Sequence, residues 1–267
     1  MKQLYLVKLG GSIITDKLKP YTANFEIINQ LVKEIKEGKK EKDFNLILGH
    51  GGGSFPHTSA KKYKTAEGFV NDESRYGFCV VQNDAAKLNR IIVDSFLKAG
   101  EKAISIQPSA CCIAKNSKIS EFYLNPIKKL LEHNIIPIPY GDVGIDLKKG
   151  SCILSTEEIL GFLARNLSEY KTRIIMVGKV EGVCTADPTK NENAEFIKEI
   201  NKDNWDEIKN YLGGSDGTDV TGGMIHKIEQ SVSLAKDGIE VEIISGMKKG
   251  NLKECLLGKR VGTLIKW

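Results

Sequence analysis

Six short runs of apolar residues constrain the fold of this chain more than any other feature. They cover residues 4–9, 45–48, 103–106, 135–139, 174–177 and 241–244. Each run is predominantly apolar, without regular alternation, and ends in glycine or polar turn residues. Continuous runs, as opposed to alternating ones, are typical of parallel strands that are covered on both faces.

Amphipathic segments separate these runs. The predicted helices cover residues 25–37, 76–99, 125–134, 157–167, 205–212 and 223–237. Strands that alternate with helices predict an α/β sandwich with right-handed crossovers around a mainly parallel sheet. Two polar stretches, 115–121 and 146–152, are expected to form hairpins or loops.

Composition narrows the classes of protein that the chain can belong to. With 267 residues, 41% of them hydrophobic, it can bury one large core or two interlocked lobes. The formal net charge of +5 suits a small anionic ligand, and the scattered lysines form no basic stripe for a nucleic acid. No run has the roughly 20 apolar residues of a membrane helix. Six cysteines without a CxxC pair argue against a zinc site and favour a reducing, cytoplasmic location.

Glycine-bearing loops follow four of the predicted strands. They cover residues 8–12, 50–54, 140–143 and 178–182. Ligands bind at the carboxyl ends of parallel strands, and successive glycine N–H groups there form a nest for anions. Two such loops on neighbouring strands can hold two phosphates face to face, as direct phosphoryl transfer requires. Neither a Walker A loop nor a GxGxxG fingerprint is present.

The residues in these loops resemble the amino acid kinase superfamily, and within it the isopentenyl phosphate kinases. The matching segments are 8–12, 15–17, 50–57, 60–63, 105–109, 140–143, 187–188, 219–224 with Lys227, and 262–263. The histidine after the triple glycine, His57, is the discriminating residue, because members that accept a phosphate or phosphonate carry it. The resemblance covers essentially the whole chain. It implies a three-layer αβα sandwich and a kinase that uses ATP and Mg²⁺ to convert isopentenyl phosphate into isopentenyl diphosphate.

The resemblance also implies a role for each matching residue. The expected catalytic residues are Lys8, Lys17, His57 and Asp142. Of these, Asp142 is expected to orient the lysines or to organise the metal ion. The residues expected at the nucleotide are Lys8, Gly10, Gly11, Ser12, Gly53, Lys179, Gly223 and Lys227. Those expected at the acceptor are Gly52, His57 and Thr156. Magnesium is expected to bridge the β- and γ-phosphates, with no separate set of protein ligands.

Three residues depart from the family pattern. Pro56 replaces a glycine before the histidine and removes one backbone donor from the loop. Lys179 stands where the family has an acid, so recognition of the base or ribose is expected to differ. Thr156 replaces a glycine at a predicted helix start, where Ser155 or Thr156 is expected to act as the N-cap. By contrast, His50 is expected to be structural.

Two alternatives remain open from the sequence. One is a kinase of the same fold for another phosphate or phosphonate, such as a fosfomycin-type resistance kinase. The other is a non-catalytic nucleotide-binding regulator. The helix at residues 76–99 carries Phe78, Cys79, Val80, Ile91 and Ile92, which fit either an apolar pocket wall for a five-carbon tail or, equally, the core. The resemblance further implies a homodimer. One domain spans residues 1–267, with an acceptor-binding lobe at about 1–170 and a nucleotide-binding lobe at about 171–267.

Overall fold

The computed structural model of the chain describes residues 1–16, 18–186, 191, 194–212 and 222–267, with no side-chain description at 222–224. The strands are β1 (Lys2–Leu9), β2 (Asn45–His50), β3 (Ala103–Ile106), β4 (Cys112–Lys115), β5 (Lys118–Phe122), β6 (Ile136–Pro139), β7 (Asp142–Asp146), β8 (Gly150–Leu154), β9 (Tyr170–Gly178), β10 (Val183–Cys184), β11 (Phe196–Ile197), β12 (Glu199–Ile200), β13 (Glu240–Ser245) and β14 (Thr263–Ile265). The helices are α1 (Gly11–Ile14), α2 (Phe25–Glu41), α3 (Pro56–Lys62), α4 (Asp72–Lys98), α5 (Pro108–Cys111), α6 (Asn125–Glu132), α7 (Thr156–Asn166), α8 (Trp205–Leu212), α9 (Gly222–Lys236) and α10 (Asn251–Leu256).

A six-stranded sheet forms the middle layer, with the strand order β12-β14-β13-β9-β1-β2. Strands β2, β1, β9 and β13 run parallel, whereas β14 is antiparallel to β13. The pair β3-β6 is also parallel, and a bridge between His50 and Tyr140 joins it to the edge of β2. The carboxyl ends of β1, β2 and β9 therefore lie at one edge of the sheet, where the glycine loops begin.

Helices cover both faces of this sheet, because successive side chains of a strand point to opposite sides. In β1, Leu4 and Leu6 belong to one buried cluster, which includes residues of α7, α8 and α9. Tyr5, Val7 and Leu9 belong to a second cluster, with residues of α2, α4 and α10. The result is the expected three-layer αβα sandwich.

The six predicted strands and six predicted helices are all present, with ends that shift by a few residues. The two polar stretches form hairpin turns in a small sheet of order β5-β4-β7-β8. The apolar runs predicted neither the strands of this sheet nor the short strands β10, β11, β12 and β14. No helix in the described ranges has the length and apolar character needed to cross a bilayer.

A buried carboxylate joins α2 to α10. Glu34 is only 4% exposed. It accepts hydrogen bonds from the backbone N–H groups of Gly250, Leu252 and Lys253 at 2.9, 3.0 and 3.3 Å. The N-cap residue of α10, Gly250, supplies no side-chain cap of its own. A residue more than 200 positions away in the sequence therefore caps this helix.

Glu34→Ala is expected to lower the free energy of unfolding by about 2–3 kcal/mol, because it leaves buried N–H groups without acceptors. The matched control is Glu37→Ala on the same helix, since the ion pairs of Glu37 with described residues are long, at 3.9 Å to Lys33 and 3.8 Å to Lys253. Chemical denaturation of both variants measures the difference. Equal losses for the two would show that the cap contributes little.

Candidate active site

Two glycine loops touch each other at the carboxyl ends of β1 and β2. A Cβ atom on Gly11 would lie 2.4 Å from the backbone nitrogen of Gly53 and 2.7 Å from its Cα. A Cβ on Gly51 would lie 3.0 Å from the nitrogen of Gly11. Only residues without a side chain allow this approach, so glycine is required here for backbone contact.

Thr15 holds the two loops together. Its hydroxyl donates to the carbonyl of Gly11 at 2.7 Å and accepts from the N–H of Ser54 at 3.0 Å. Gly53 lies beside it in the left-handed region, with φ +55°. Thr15 is 3% exposed, so the link is shielded from water.

The touching loops leave backbone donors for a ligand. The N–H groups of Gly11, Ser12, Gly52 and Gly53 make no hydrogen bond within the described part of the chain. Four such donors in two adjoining loops form the kind of nest that binds phosphate oxygens.

The loops open into a cavity of about 540 Å³. Ten of the residues predicted from the sequence line it: Lys8, Gly10, Gly11, Ser12, Gly52, Gly53, His57, Asp142, Thr156 and Lys227. His57 and Lys227 are exposed, whereas Thr156 and Asp142 are buried. Residues more than 200 positions apart in the sequence therefore meet at one site, as the resemblance implied.

Lys8 forms an ion pair that the sequence did not reveal. Its Nζ lies 2.6 Å from Oε1 of Glu157, and the two side chains are only 11% and 15% exposed. Burial acts to raise the pKa of Glu157, but the Lys8 ammonium and the charge of Lys227 outweigh it and hold that pKa below its ordinary value. Glu157 thus keeps a charged lysine in place at the cavity. The one signal in the sequence that could have indicated this pair is the position of Glu157, an acidic residue at the start of a helix that directly follows a strand.

Asp142 lies at the cavity with its carboxylate held by backbone donors. Oδ2 accepts from the N–H of Ser109 at 3.1 Å, and Oδ1 accepts from the N–H of Val143 at 2.9 Å. Burial raises its pKa to about 6, although both of these hydrogen bonds favour the ionised form. The carboxylate that pairs with Lys8 is that of Glu157, so the expectation that Asp142 orients the lysines stays a prediction.

The start of α7 is capped by Ser155, whose side chain accepts from the N–H of Glu158 at 3.1 Å. The hydroxyl of Thr156 instead donates to the carbonyl of His50 at 2.7 Å, and the residue is 1% exposed. Of the two N-cap candidates, Ser155 is therefore the correct one. The side chain of Thr156 packs against the end of β2, and the residue is among those that line the cavity.

Pro56 is the first residue of α3, a position where the backbone N–H has no partner within the helix. Its ring fills the space beside Gly52, because a Cβ on Gly52 would lie 2.2 Å from Cγ of Pro56. The proline therefore packs against the loop and removes only a donor that the helix does not use.

One predicted residue that the structure describes, Lys179, does not line the cavity. Lys179 is exposed, although its carbonyl accepts from the hydroxyl of Ser245 at 3.2 Å. Gly223 lies in the first turn of α9. Lys17, and the motif residues 187–188 and 219–221, lie outside the described residues.

The apolar wall of the cavity comes from α4, but from residues other than those expected. Val81 and Ala85, one turn apart, line the cavity together with Ile153 of β8. None of the expected Phe78, Cys79, Val80, Ile91 and Ile92 is among the lining residues, and Ile92 belongs to the core under the sheet. The pocket-wall interpretation of these five residues was therefore wrong, and the core interpretation holds for Ile92, because an amphipathic pattern does not say which side of a long helix meets the ligand.

Comparisons with known proteins found a matching family and several similar chains. The family described as "Amino acid kinase family" matches residues 3–245. The isopentenyl phosphate kinase of Methanocaldococcus jannaschii is 36% identical, over 98% of this chain and 98% of its own length. That of Methanothermobacter thermautotrophicus is 35% identical over the same shares. A solved structure described as "X-ray structures of isopentenyl phosphate kinase" is 31% identical, with a TM-score of 0.83 over 98% of this chain and 100% of its own.

Gly11→Ala is expected to push the two loops apart, because its new methyl group would overlap the backbone of Gly53. We expect the free energy of unfolding to fall by about 1–3 kcal/mol. The affinity for ATP, measured by titration calorimetry, should fall roughly tenfold or more as charged hydrogen bonds are lost.

The matched control is Gly38→Ala in α2, where the added Cβ would meet Leu256 at an ordinary 3.5 Å. That change should leave ATP affinity unaltered and stabilise the helix by up to about 1 kcal/mol. Unchanged ATP binding by Gly11→Ala would show that the contact between the loops does not shape the site.

Proposed function

The chain belongs to the amino acid kinase family, and we propose that it transfers the γ-phosphoryl group of ATP to isopentenyl phosphate, giving isopentenyl diphosphate and ADP. The observation that carries the proposal is the direct contact of two glycine loops at one cavity. Donor nests in both loops suit two phosphates at the distance that direct transfer needs. The relatives that match almost the whole chain are named for this substrate.

The nucleotide phosphates fit the loop after β1. Gly10, Gly11 and Ser12 face the cavity there, and Lys8 brings a positive charge to the same edge. Lys227 on α9 lines the cavity from the other side. We assign Gly53 to the nucleotide as well, together with Gly223 and Lys179 from the C-terminal part of the chain.

The acceptor phosphate fits the loop after β2. Gly52 and His57 line the cavity there, and Thr156 lines it from the start of α7. Val81, Ala85 and Ile153 offer apolar surface for a short hydrocarbon tail. A tail of this kind is what distinguishes isopentenyl phosphate from a compact polar phosphonate.

The chemical step needs no strong general base, because the attacking oxygen of the acceptor phosphate is already anionic. This oxygen attacks the γ-phosphorus, and the new P–O bond forms as the bond to the β–γ bridging oxygen breaks. ADP leaves with that electron pair. Lys8, held by Glu157 at 2.6 Å, stabilises the charge on the transferring group, and Lys17 is assigned the same role.

Magnesium enters the proposal with the nucleotide. In the described ranges no group of three or more histidine, cysteine or acidic side chains could hold a metal ion. Mg²⁺ commonly takes one or two carboxylates together with substrate phosphates and water, and the cavity-lining Asp142 fits as such a carboxylate. When bound, the ion supplies charge neutralisation at the β- and γ-phosphates.

We also propose an acceptor lobe at about residues 1–170 and a nucleotide lobe at about 171–267. This division places His57 and Thr156 in the first lobe and Lys227 in the second. A homodimer and a cytoplasmic location stay predictions from the sequence.

A coupled assay of ADP release tests the proposal with isopentenyl phosphate, dimethylallyl phosphate and fosfomycin as acceptors. We expect turnover of isopentenyl phosphate and none of fosfomycin above background. In His57→Ala, the acceptor KM should rise and kcat should fall, with kcat/KM lowered roughly tenfold or more, because a charged hydrogen bond is lost.

The control for that variant is His133→Ala, at the exposed C-cap position directly after α6 and outside the cavity lining. If no acceptor turns over while ATP still binds, the chain is a regulator and the proposal fails. An unchanged kcat/KM for His57→Ala would instead remove only that histidine from the acceptor site.

A further inference from the structure

His50 is the last residue of β2 and directly precedes the glycine loop that we assign to the acceptor. Its side chain is fully buried, at 0% exposure, and it is not one of the cavity-lining residues. The ring stacks on Tyr140, with centroids 5.7 Å apart and planes 10° from parallel. A histidine in such a place needs partners for both ring nitrogens.

The hydrogen-bond network fixes which ring nitrogen carries the proton. Nδ2 of Asn89 lies 3.2 Å from the carbonyl oxygen of Ile138 and 3.1 Å from Nε2 of His50. A carbonyl only accepts, so the amide nitrogen of Asn89 must face it, and its second hydrogen is left for Nε2. Nε2 is therefore the acceptor and Nδ1 holds the proton. Nδ1 lies 3.2 Å from the carbonyl oxygen of Gly51 and donates to it.

Burial keeps this ring neutral. It lowers the pKa of His50 to about 4, although the Gly51 carbonyl acts in the opposite direction. At neutral pH the ring thus presents one donor and one acceptor, and each has its partner.

The hydrogen bond from His50 Nδ1 to the carbonyl of Gly51 sets the direction of the N–H of Gly52, the next backbone donor in the loop. A peptide unit is planar, so the carbonyl of Gly51 and the N–H of Gly52 point in opposite directions. A peptide between two glycines meets few steric barriers to rotation. When His50 holds the Gly51 carbonyl, the N–H of Gly52 is directed away from the ring, and Gly52 lines the cavity.

The backbone carbonyl of His50 connects the start of this glycine loop to two other segments of the site. Its carbonyl accepts from the hydroxyl of Thr156 at 2.7 Å and from the N–H of Gly141 at 3.0 Å. Thr156 directly precedes Glu157, the partner of Lys8, and Gly141 directly precedes Asp142. Three segments that line the cavity therefore meet at one buried residue.

We infer that His50 is a positioning residue for acceptor binding, which aims the N–H of Gly52 at the acceptor phosphate by holding the Gly51 carbonyl through Nδ1–H. The inference rests on the proposed function for the identity of that phosphate. Asn89 is part of this arrangement, because its side-chain amide fixes the tautomer of His50.

Two variants of His50 separate the proposed hydrogen bond to the Gly51 carbonyl from a role in core packing alone. In His50→Asn the side-chain amide nitrogen can replace Nδ1 as the donor to Gly51, whereas in His50→Gln the side-chain oxygen replaces Nε2 and the donor is lost. We expect His50→Asn to keep the acceptor KM within about threefold of the parent. His50→Gln should raise it roughly tenfold or more, the value of a hydrogen bond to a charged phosphate, with the KM for ATP unchanged.

The control is Ile208→Ala in α8, a buried core change outside the cavity lining that lowers stability and should leave the acceptor KM alone. If the two His50 variants change the acceptor KM equally, or if KM simply follows thermal stability across all three variants, the inference is overturned.

The tautomer is tested without any turnover. Two-bond ¹H–¹⁵N correlation spectra report the protonated nitrogen in each of the four histidines, and the His50→Asn variant identifies the signal of His50. We expect a neutral ring with the proton on Nδ1 at pH 7. A proton on Nε2, or on both nitrogens, overturns the inference even if isopentenyl phosphate is turned over. Absence of turnover in the parent overturns the proposed substrate. The role of His50 is then decided by its tautomer and by whether the parent binds inorganic pyrophosphate more tightly than His50→Gln does.

Discussion

The contact between the loops at Gly11 and Gly53 is the constraint on which the rest of the site depends. Backbone meets backbone there because neither residue has a side chain, and Thr15 fastens the two loops with a pair of hydrogen bonds. Parallel pairing of β1 with β2 brings the loops to the same edge of the sheet. The fold therefore determines how far apart two bound phosphates can lie.

The charge of Lys8 at this edge is balanced within the protein. Lys8 would be costly to bury alone, and Glu157 offsets that cost at 2.6 Å. The pair keeps the ammonium in a fixed place, so little reorganisation is needed as charge develops on the transferring group. Beneath the cavity, His50 connects β2, α4, β6 and α7 through neutral hydrogen bonds, which add rigidity without adding charge.

The sequence predicted the sandwich and most of the cavity because those features have local signatures. Continuous apolar runs identified β1, β2 and β9, and glycines after the strands identified the two loops. Glu157 was missed because its role depends on a partner 149 positions away, which no local pattern reports. The wall of Val81 and Ala85 was missed because α4 carries apolar residues on more than one face, and packing alone decides which face meets the cavity.

The central claim is that two phosphates held by touching loops react directly with each other. The stereochemistry at the transferred phosphorus tests it, with ATP made chiral at the γ-phosphate by oxygen isotopes and isopentenyl phosphate as the acceptor. A single in-line displacement predicts inversion of configuration. Retention would show two successive displacements through a phosphorylated side chain, with the cavity-lining His57 as a candidate nucleophile, and would contradict the account.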